Sequence, residues 1–311
     1  MQPVRRYPKI LTGAITLVII IGILAYEQYL RSQKSIIVLT TTTSTYDSGL
    51  LDYLMPKFES KYGVEVHIIS VGTGQAIEMA KRGDADLVLV HSRQIELEFV
   101  NNTYGIHRVG VMYNDFVIIG PANDPAGVSG LTNATEAFRR IACKGTEGNA
   151  TFISRADRSG TNMLEISIWN RLGMTLSNKT RTWYLEAGAG MGTVLRMANE
   201  KKAYTLTDRA TWLSFKNQLT NLKVHVQGDV VLLNPYAMIL VNPGKYPQRN
   251  HKGALILAKW IISEEGQNLI ASFTKEGENL FKPIARDFIK AHELGFPDQE
   301  KEIAWYDVQK P

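Results

Sequence analysis

The chain has 311 residues, 44% hydrophobic and 21% charged, which excludes a disordered polymer and provides enough apolar mass for two lobes with separate cores. Of 35 basic and 30 acidic residues, five basic and one acidic lie in residues 1–34, leaving 30 against 29 in the rest. The net charge of +5 therefore belongs to the N-terminal tail, and the globular part, with no basic stripe interleaved with aromatics, is not a nucleic-acid binder.

Residues 10–25, ILTGAITLVIIIGILA, are uncharged and follow Arg5, Arg6 and Lys9. That is the pattern of a secretion signal or a membrane anchor, with Tyr26 and Tyr29 placed to extend it into the interface. Neither a clear small-x-small cleavage site nor a cysteine for lipid attachment follows it, so residues 1–34 are expected to form an uncleaved transmembrane helix. The basic front flank places the N-terminus in the cytoplasm and exports the chain from about residue 35. Asn-x-Ser/Thr tripeptides at Asn101, Asn133, Asn149 and Asn178 are compatible with export.

From Ser35 the pattern alternates strand and helix. Ile36–Leu39 reads as a buried strand; Leu50, Leu51, Leu54 and Phe58 have helical spacing, with Gly63 to end the helix and Pro56 to kink it. Strands at 64–71 and 86–91 alternate with helices at 75–82 and 94–101, which predicts a parallel sheet. A strand at 115–120 opens a second region. It holds helices near 136–142, 161–172 and 191–200 and strands at 151–154, 203–206 and 224–227. A strand at 236–241 returns, and two helices at 251–262 and 265–273 follow. The reading is α/β throughout. One lobe comprises 35–118 with 237–311 and the second 119–236, joined by two crossings near Asn114–Asp115 and Asn234–Tyr236. A pair of crossings makes a hinge, and ligands of open α/β sheets bind at the carboxyl ends of strands.

Four polar loops fall where strands end and helices begin: Thr40–Thr45, Gly72–Gln75, Ser154–Thr161 and Thr205–Arg209. Helix N-termini offer free N–H groups, Ser and Thr add hydroxyl donors, and Gly lets the backbone approach a ligand. One such loop is ordinarily a helix cap. Four together, one carrying Arg155, point to an anion with many acceptor oxygens.

The motifs Thr41–Ser44, Val71–Ala76, Asp84–Asp86, Met112–Val117, Ser154–Thr161 and Ala203–Arg209 resemble, in order along most of the chain from 36 to about 283, those of the tungstate-binding proteins of ABC transporters. The resemblance implies a type II periplasmic-binding-protein fold, no enzymatic activity and no cofactor. Its implied partners are a tungstate or molybdate oxyanion, a membrane permease and its ATPase, with the chain itself a monomer. It also implies an oxyanion shell made by Thr43, Ser44, Thr73, Gly74, Arg155, Ser159, Gly160, Thr161 and Thr207, with no metal ligated directly. The Arg-x-Asp-x-Ser-Gly-Thr stretch also resembles phosphate-binding relatives.

Asp157 decides between oxyanion classes. Tungstate, molybdate and sulfate are fully ionised near neutral pH and only accept hydrogen bonds, whereas phosphate keeps a proton and favours a site with an acceptor carboxylate. Asp157 is expected to pair with an arginine or cap the helix begun at Ser159, which leaves a shell of donors. Tungstate over molybdate follows from the resemblance alone; a phosphate or sulfate binder and an extracytoplasmic oxyanion sensor remain the alternatives. No nucleophile elbow, phosphate loop or His-Glu-x-x-His helix is present, and the six histidines have no metal spacing. His91 reads as a structural residue at a strand end, Asp84 and Asp86 as a turn residue and a strand opener, and Cys143, the single cysteine, as a small buried hydrophobe.

Overall fold

The structure, a computed structural model, describes residues 35–176 and 182–309 together with Ile19, Ile21 and Gly22. Almost all of the expected N-terminal helix, and Asn178, lie outside the described residues, among which no helix is long and apolar enough to cross a membrane.

Strands β1 (Ser35–Thr42), β2 (Val64–Val71) and β3 (Leu87–Val90) pair in parallel in the order β2-β1-β3. After β1 come a short helix α1 (Thr43–Asp47) and α2 (Leu50–Tyr62); α3 (Thr73–Lys81) joins β2 to β3. Gly63 ends α2 in the left-handed region, at φ 66°. Pro56 lies inside α2 without ending it. A helix-interior proline costs roughly 3 kcal/mol. The burial of Leu50, Leu51, Leu54, Met55 and Phe58, at about 1.5–3 kcal/mol per side chain, outweighs it.

The chain leaves β3 through α4 (Arg93–Asn101) and enters β4 (Gly105–Pro121), a 17-residue strand. Only its second half was expected as strand, because Gly105, His107, Arg108 and Gly110 break the apolar pattern. The first half persists through two irregularities, with His107 at φ 54°. The Gln299 side chain repairs one of them: it accepts from Gly110 N (2.8 Å) and donates to Gly110 O (2.8 Å).

The first half of β4 pairs antiparallel with β9 (Leu233–Val241), and β9 pairs antiparallel with β3. The first lobe's sheet is therefore mixed, not wholly parallel, since β9, one of the two strands that pass between lobes, runs against β1–β3, while β4 runs with them. The second half of β4 pairs with β7 (Thr205–Asp208) and β8 (Leu222–Val226), and β5 (Phe152–Ser154) with β6 (Tyr184–Glu186) extends that lobe through a Phe152–Tyr204 bridge. Helices α5 (Ala134–Thr146), α6 (Gly160–Arg171), α7 (Met191–Lys201) and α8 (Arg209–Phe215) belong to this lobe, whose core includes Phe138, Phe152, Trp169, Trp183 and Tyr184. Cys143 is exposed, contrary to expectation: α5 buries Ala134, Ala137, Phe138, Ile141 and Ala142, and residue 143 turns away from that stripe. Back in the first lobe, α9 (His251–Ile262), α10 (Glu264–Ser272), α11 (Phe288–Glu293) and α12 (Gln299–Val308) close the chain. Asp86 is buried and structural, accepting from Val38 N, Arg249 Nε and Asn250 N, while Asp84 pairs with Arg82 at the surface.

Gly120 marks a point of close packing in the second lobe. A Cβ there would lie 2.2 Å from the Tyr204 ring. That ring cannot swing aside, because its hydroxyl donates to Asp124 Oδ1 (2.7 Å) and accepts from Ala126 N (3.0 Å). Gly120→Ala is expected to lower stability by about 1–3 kcal/mol, measured by urea denaturation.

Candidate functional site

The register places Thr42 beside Val71, so the loops after β1 and β2 are neighbours; the Phe152–Tyr204 bridge does the same for those after β5 and β7. The run of hydroxyls after β1 divides its labour. Thr41 donates to Leu89 O (2.7 Å), and Thr42 Oγ1 caps α1 by accepting from Thr45 N and meeting Thr45 Oγ1 at 2.6 Å. Thr43 is exposed and Ser44 partly buried, its Oγ 3.2 Å from Thr42 Oγ1.

Ser44 leads into a cluster that sequence reasoning missed. Its Oγ lies 3.3 Å from His91 Nε2, and His91 Nδ1 lies 2.9 Å from Asn234 Oδ1. Asn234 Nδ2 donates to Asn114 Oδ1 (2.8 Å) and to Tyr236 OH (3.2 Å), and Asn114 Nδ2 also donates to Tyr236 OH (3.2 Å). The imidazole packs on Tyr236 with ring centroids 4.8 Å apart. His91 is thus held by Asn234 and Tyr236 of β9, which Asn114 of β4 braces in turn, and is not a bystander at a strand end. The available signal was the coincidence of two asparagines with the two expected crossings.

The second lobe reaches the same place. A Cβ on Gly160, the first residue of α6, would lie 3.4 Å from His91 Cε1. Ser159 caps α6 through its Oγ, which accepts from Asn162 N (3.3 Å). Arg155 donates from Nε (3.0 Å) and Nη2 (2.5 Å) to Asp157 Oδ2, and Asp157 Oδ1 accepts from Ser159 N (3.1 Å). Burial by itself would raise the Asp157 carboxyl; the hydrogen bonds from Ser159 and Arg155, with the guanidinium charge, hold it below the ordinary carboxylate range.

The loop is bent into shape. Ala156 (φ 50°) and Arg158 (φ 59°) occupy the left-handed region, which costs non-glycine residues about 1–2 kcal/mol each. Ser154 Oγ accepts from Ala156 N and Asn162 Oδ1 accepts from Arg158 N, which fixes both turns. Beneath them lies Glu165, raised in pKa by its burial, whose carboxylate receives Ser154 Oγ (2.6 Å), Tyr184 OH (2.8 Å) and Trp169 Nε1 (3.0 Å). A buried carboxylate with three short donors anchors the loop rather than serving a ligand.

The remaining expected residues sit as follows. Thr73 is partly buried at the start of α3, and Gly74 is exposed with open space around it. Thr161 is buried in the first turn of α6. Thr207 is fully buried within β7, its hydroxyl donating to Asp208 O (3.2 Å). Asp208 caps α8 by accepting from Thr211 N and Thr211 Oγ1, and Asp115 takes both arms of Arg209 at 2.6 Å. Asp115, Asp157 and Asp208 are each committed to a neighbour.

The profile of the PBP superfamily domain matches residues 28–265. The chain is 46% identical, over 81% of its length and 87% of the relative, to the tungstate-binding protein TupA of Peptoclostridium acidaminophilum. Among solved structures it resembles the tungstate-binding protein TupA of Desulfovibrio alaskensis, at 40% identity and a TM-score of 0.75 over 80% of this chain and 98% of that one. A tungstate ABC transporter structure from Geobacter sulfurreducens matches at 46% identity and a TM-score of 0.66, over 76% and 98%. With the four polar loops and most of both lobes inside the matched span, the chain belongs to the PBP superfamily and, within it, to the family of TupA tungstate-binding proteins.

Proposed function

We propose that this chain captures tungstate, and with it molybdate, outside the cytoplasm and delivers it to an ABC permease driven by its ATPase. The observation that carries the reading is the committed state of the carboxylates beside the cleft. Asp157 is tied to Arg155 and Ser159, and Asp208 to Thr211. A fully ionised tetrahedral dianion needs donors only, whereas hydrogen phosphate needs an acceptor for its proton. The ligand itself is carried over from what the related proteins are named for.

The proposed shell comprises Thr43, Ser44, Thr73, Gly74, Arg155, Ser159, Gly160, Thr161 and Thr207, with lobes of 35–118 plus 237–311 and of 119–236 closing over the anion. Closure brings donors from both sides and excludes water, which strengthens each bond. Smaller sulfate reaches fewer donors of a cage built for a larger ion. In this reading the chain acts as a monomer tethered by residues 1–34.

The test is a thermal-shift titration with tungstate, molybdate, sulfate and phosphate at equal concentration. At a hundred times Kd a ligand adds about 2.7 kcal/mol, a rise of roughly 5–10 °C for a chain of this size. Tungstate and molybdate are expected to raise the melting temperature by that amount, and sulfate and phosphate by far less. Equal shifts for phosphate and tungstate would overturn the assignment.

A further inference from the structure

We propose that His91 takes up one proton when the dianion binds, so that capture and release are coupled to pH. The inference rests on the oxyanion reading above. Its basis is the hydrogen-bond direction imposed by the hinge. Asn234 spends its Nδ2 hydrogens on Asn114 Oδ1 and Tyr236 OH, which leaves Oδ1 to accept, so the hydrogen on the imidazole sits at Nδ1. A neutral imidazole has one N–H, and Nε2 therefore presents a lone pair to Ser44 Oγ at 3.3 Å. On that line the Ser44 hydroxyl is the donor.

A dianion bound through Ser44 creates a conflict. The hydroxyl has one hydrogen and cannot give it both to an anion oxygen and to His91 Nε2. A lone pair turned toward a doubly negative ion is also repelled. A proton added from water to Nε2 removes both difficulties. The new N–H donates to Ser44 Oγ or to an anion oxygen, and the hydroxyl hydrogen is released to the anion. No other bond is made or broken, and the net charge of the buried pair falls from −2 to −1.

The groups that face the ring set the direction of the coupling. Burial lowers the His91 pKa to about 4, only partly opposed by the Asn234 hydrogen bond and by the negative charge of Asp208 from the second lobe. Tyr236, under the ring, is pushed well above its ordinary pKa by burial and stays protonated. At neutral pH His91 is thus neutral before binding, and the adjacent dianion lifts its pKa in the complex. Affinity then rises as pH falls from the pKa of the complex toward about 4, by up to about tenfold per pH unit for one proton, and flattens below.

Calorimetric titration of the full chain with sodium tungstate decides the matter, run at pH 6, 7 and 8 in Pipes and in Tris, whose ionisation enthalpies differ. The expected result is uptake approaching one proton per tungstate, tighter binding at lower pH, and loss of both in His91→Gln. Imidazole 15N shifts of the wild-type chain, moving to the doubly protonated pattern on adding tungstate, report the same event without a variant. Tungstate binding with no buffer-dependent heat, and imidazole shifts that never reach the doubly protonated pattern, would overturn the inference and leave the oxyanion reading intact. Uptake that persists in His91→Gln would equally overturn it. Tungstate that fails to bind the wild-type chain at all would sink the oxyanion reading along with it.

Discussion

Replacing Arg155 with alanine is expected to weaken tungstate binding at least about a hundredfold, or about 2.7 kcal/mol. Two effects add. The guanidinium supplies formal positive charge to the proposed shell, and truncating a buried charge partner typically costs 2–5 kcal/mol. The substitution also strips Asp157 of its partner: the carboxylate that accepts two N–H groups from Arg155 would turn an unpaired negative charge on the anion. Arg155→Lys restores charge but not the fork of donors, and is expected to fall between wild type and alanine. Asp157→Asn separates the two effects, since it removes the charge while its one amide oxygen still accepts from either Arg155 or Ser159 N; its affinity is expected to exceed that of Arg155→Ala. Titration calorimetry reads all three. Unchanged affinity in Arg155→Ala would remove Arg155 from the shell.

Much of this architecture was legible in the sequence because local signals agreed with the fold. Helix α9 was expected and found at 251–262, strand β2 at 64–71, and Gly63 ends α2 in the left-handed conformation that glycine favours. The polar loops were legible for the same reason: Ser159 and Asp208 are helix caps by composition and cap α6 and α8 in fact. What stayed hidden depends on distant partners. The first half of β4 carries glycines and charges because Gln299, 189 residues away, satisfies Gly110, and because Phe99 and Phe296 fill the space beside Gly105 and Gly110. His91 had no motif around it. Its meaning comes from Asn234, 143 residues on, and from Gly160 in the other lobe, neither of which periodicity can place beside it. The hydroxyl run was over-read, since Thr41, Thr42 and Thr45 are spent on backbone and cap contacts.

Arg108→Ala is expected to destabilise the first lobe by about 3–5 kcal/mol, and the loss should shrink as pH falls. Glu96 is 1% exposed, and the Arg108 side chain 8%. Arg108 Nη2 and Nε reach Glu96 Oε2 at 2.7 and 2.9 Å, its Nη1 donates to Gly295 O (3.1 Å), and its guanidinium lies 4.0 Å over the Phe296 ring. Without Arg108 the carboxylate keeps Ser92 N as a donor (2.6 Å) but has no counter-charge in this contact. Burial already raises the Glu96 pKa against the lowering effect of Arg108; with that opposition gone it rises further. A carboxyl whose folded pKa lies above its unfolded value binds more protons when folded, so the penalty is largest at high pH and is relieved as pH falls through the folded pKa. Urea denaturation at pH 8 and pH 5 should therefore show the larger deficit at pH 8. Glu96→Leu combined with Arg108→Met removes both charges and should recover most of the loss, because exchanging a buried pair for apolar groups of similar volume is often neutral. A deficit equal at both pH values and undiminished in the double variant would trace the loss to the contacts with Phe296 and Gly295, not to the orphaned charge.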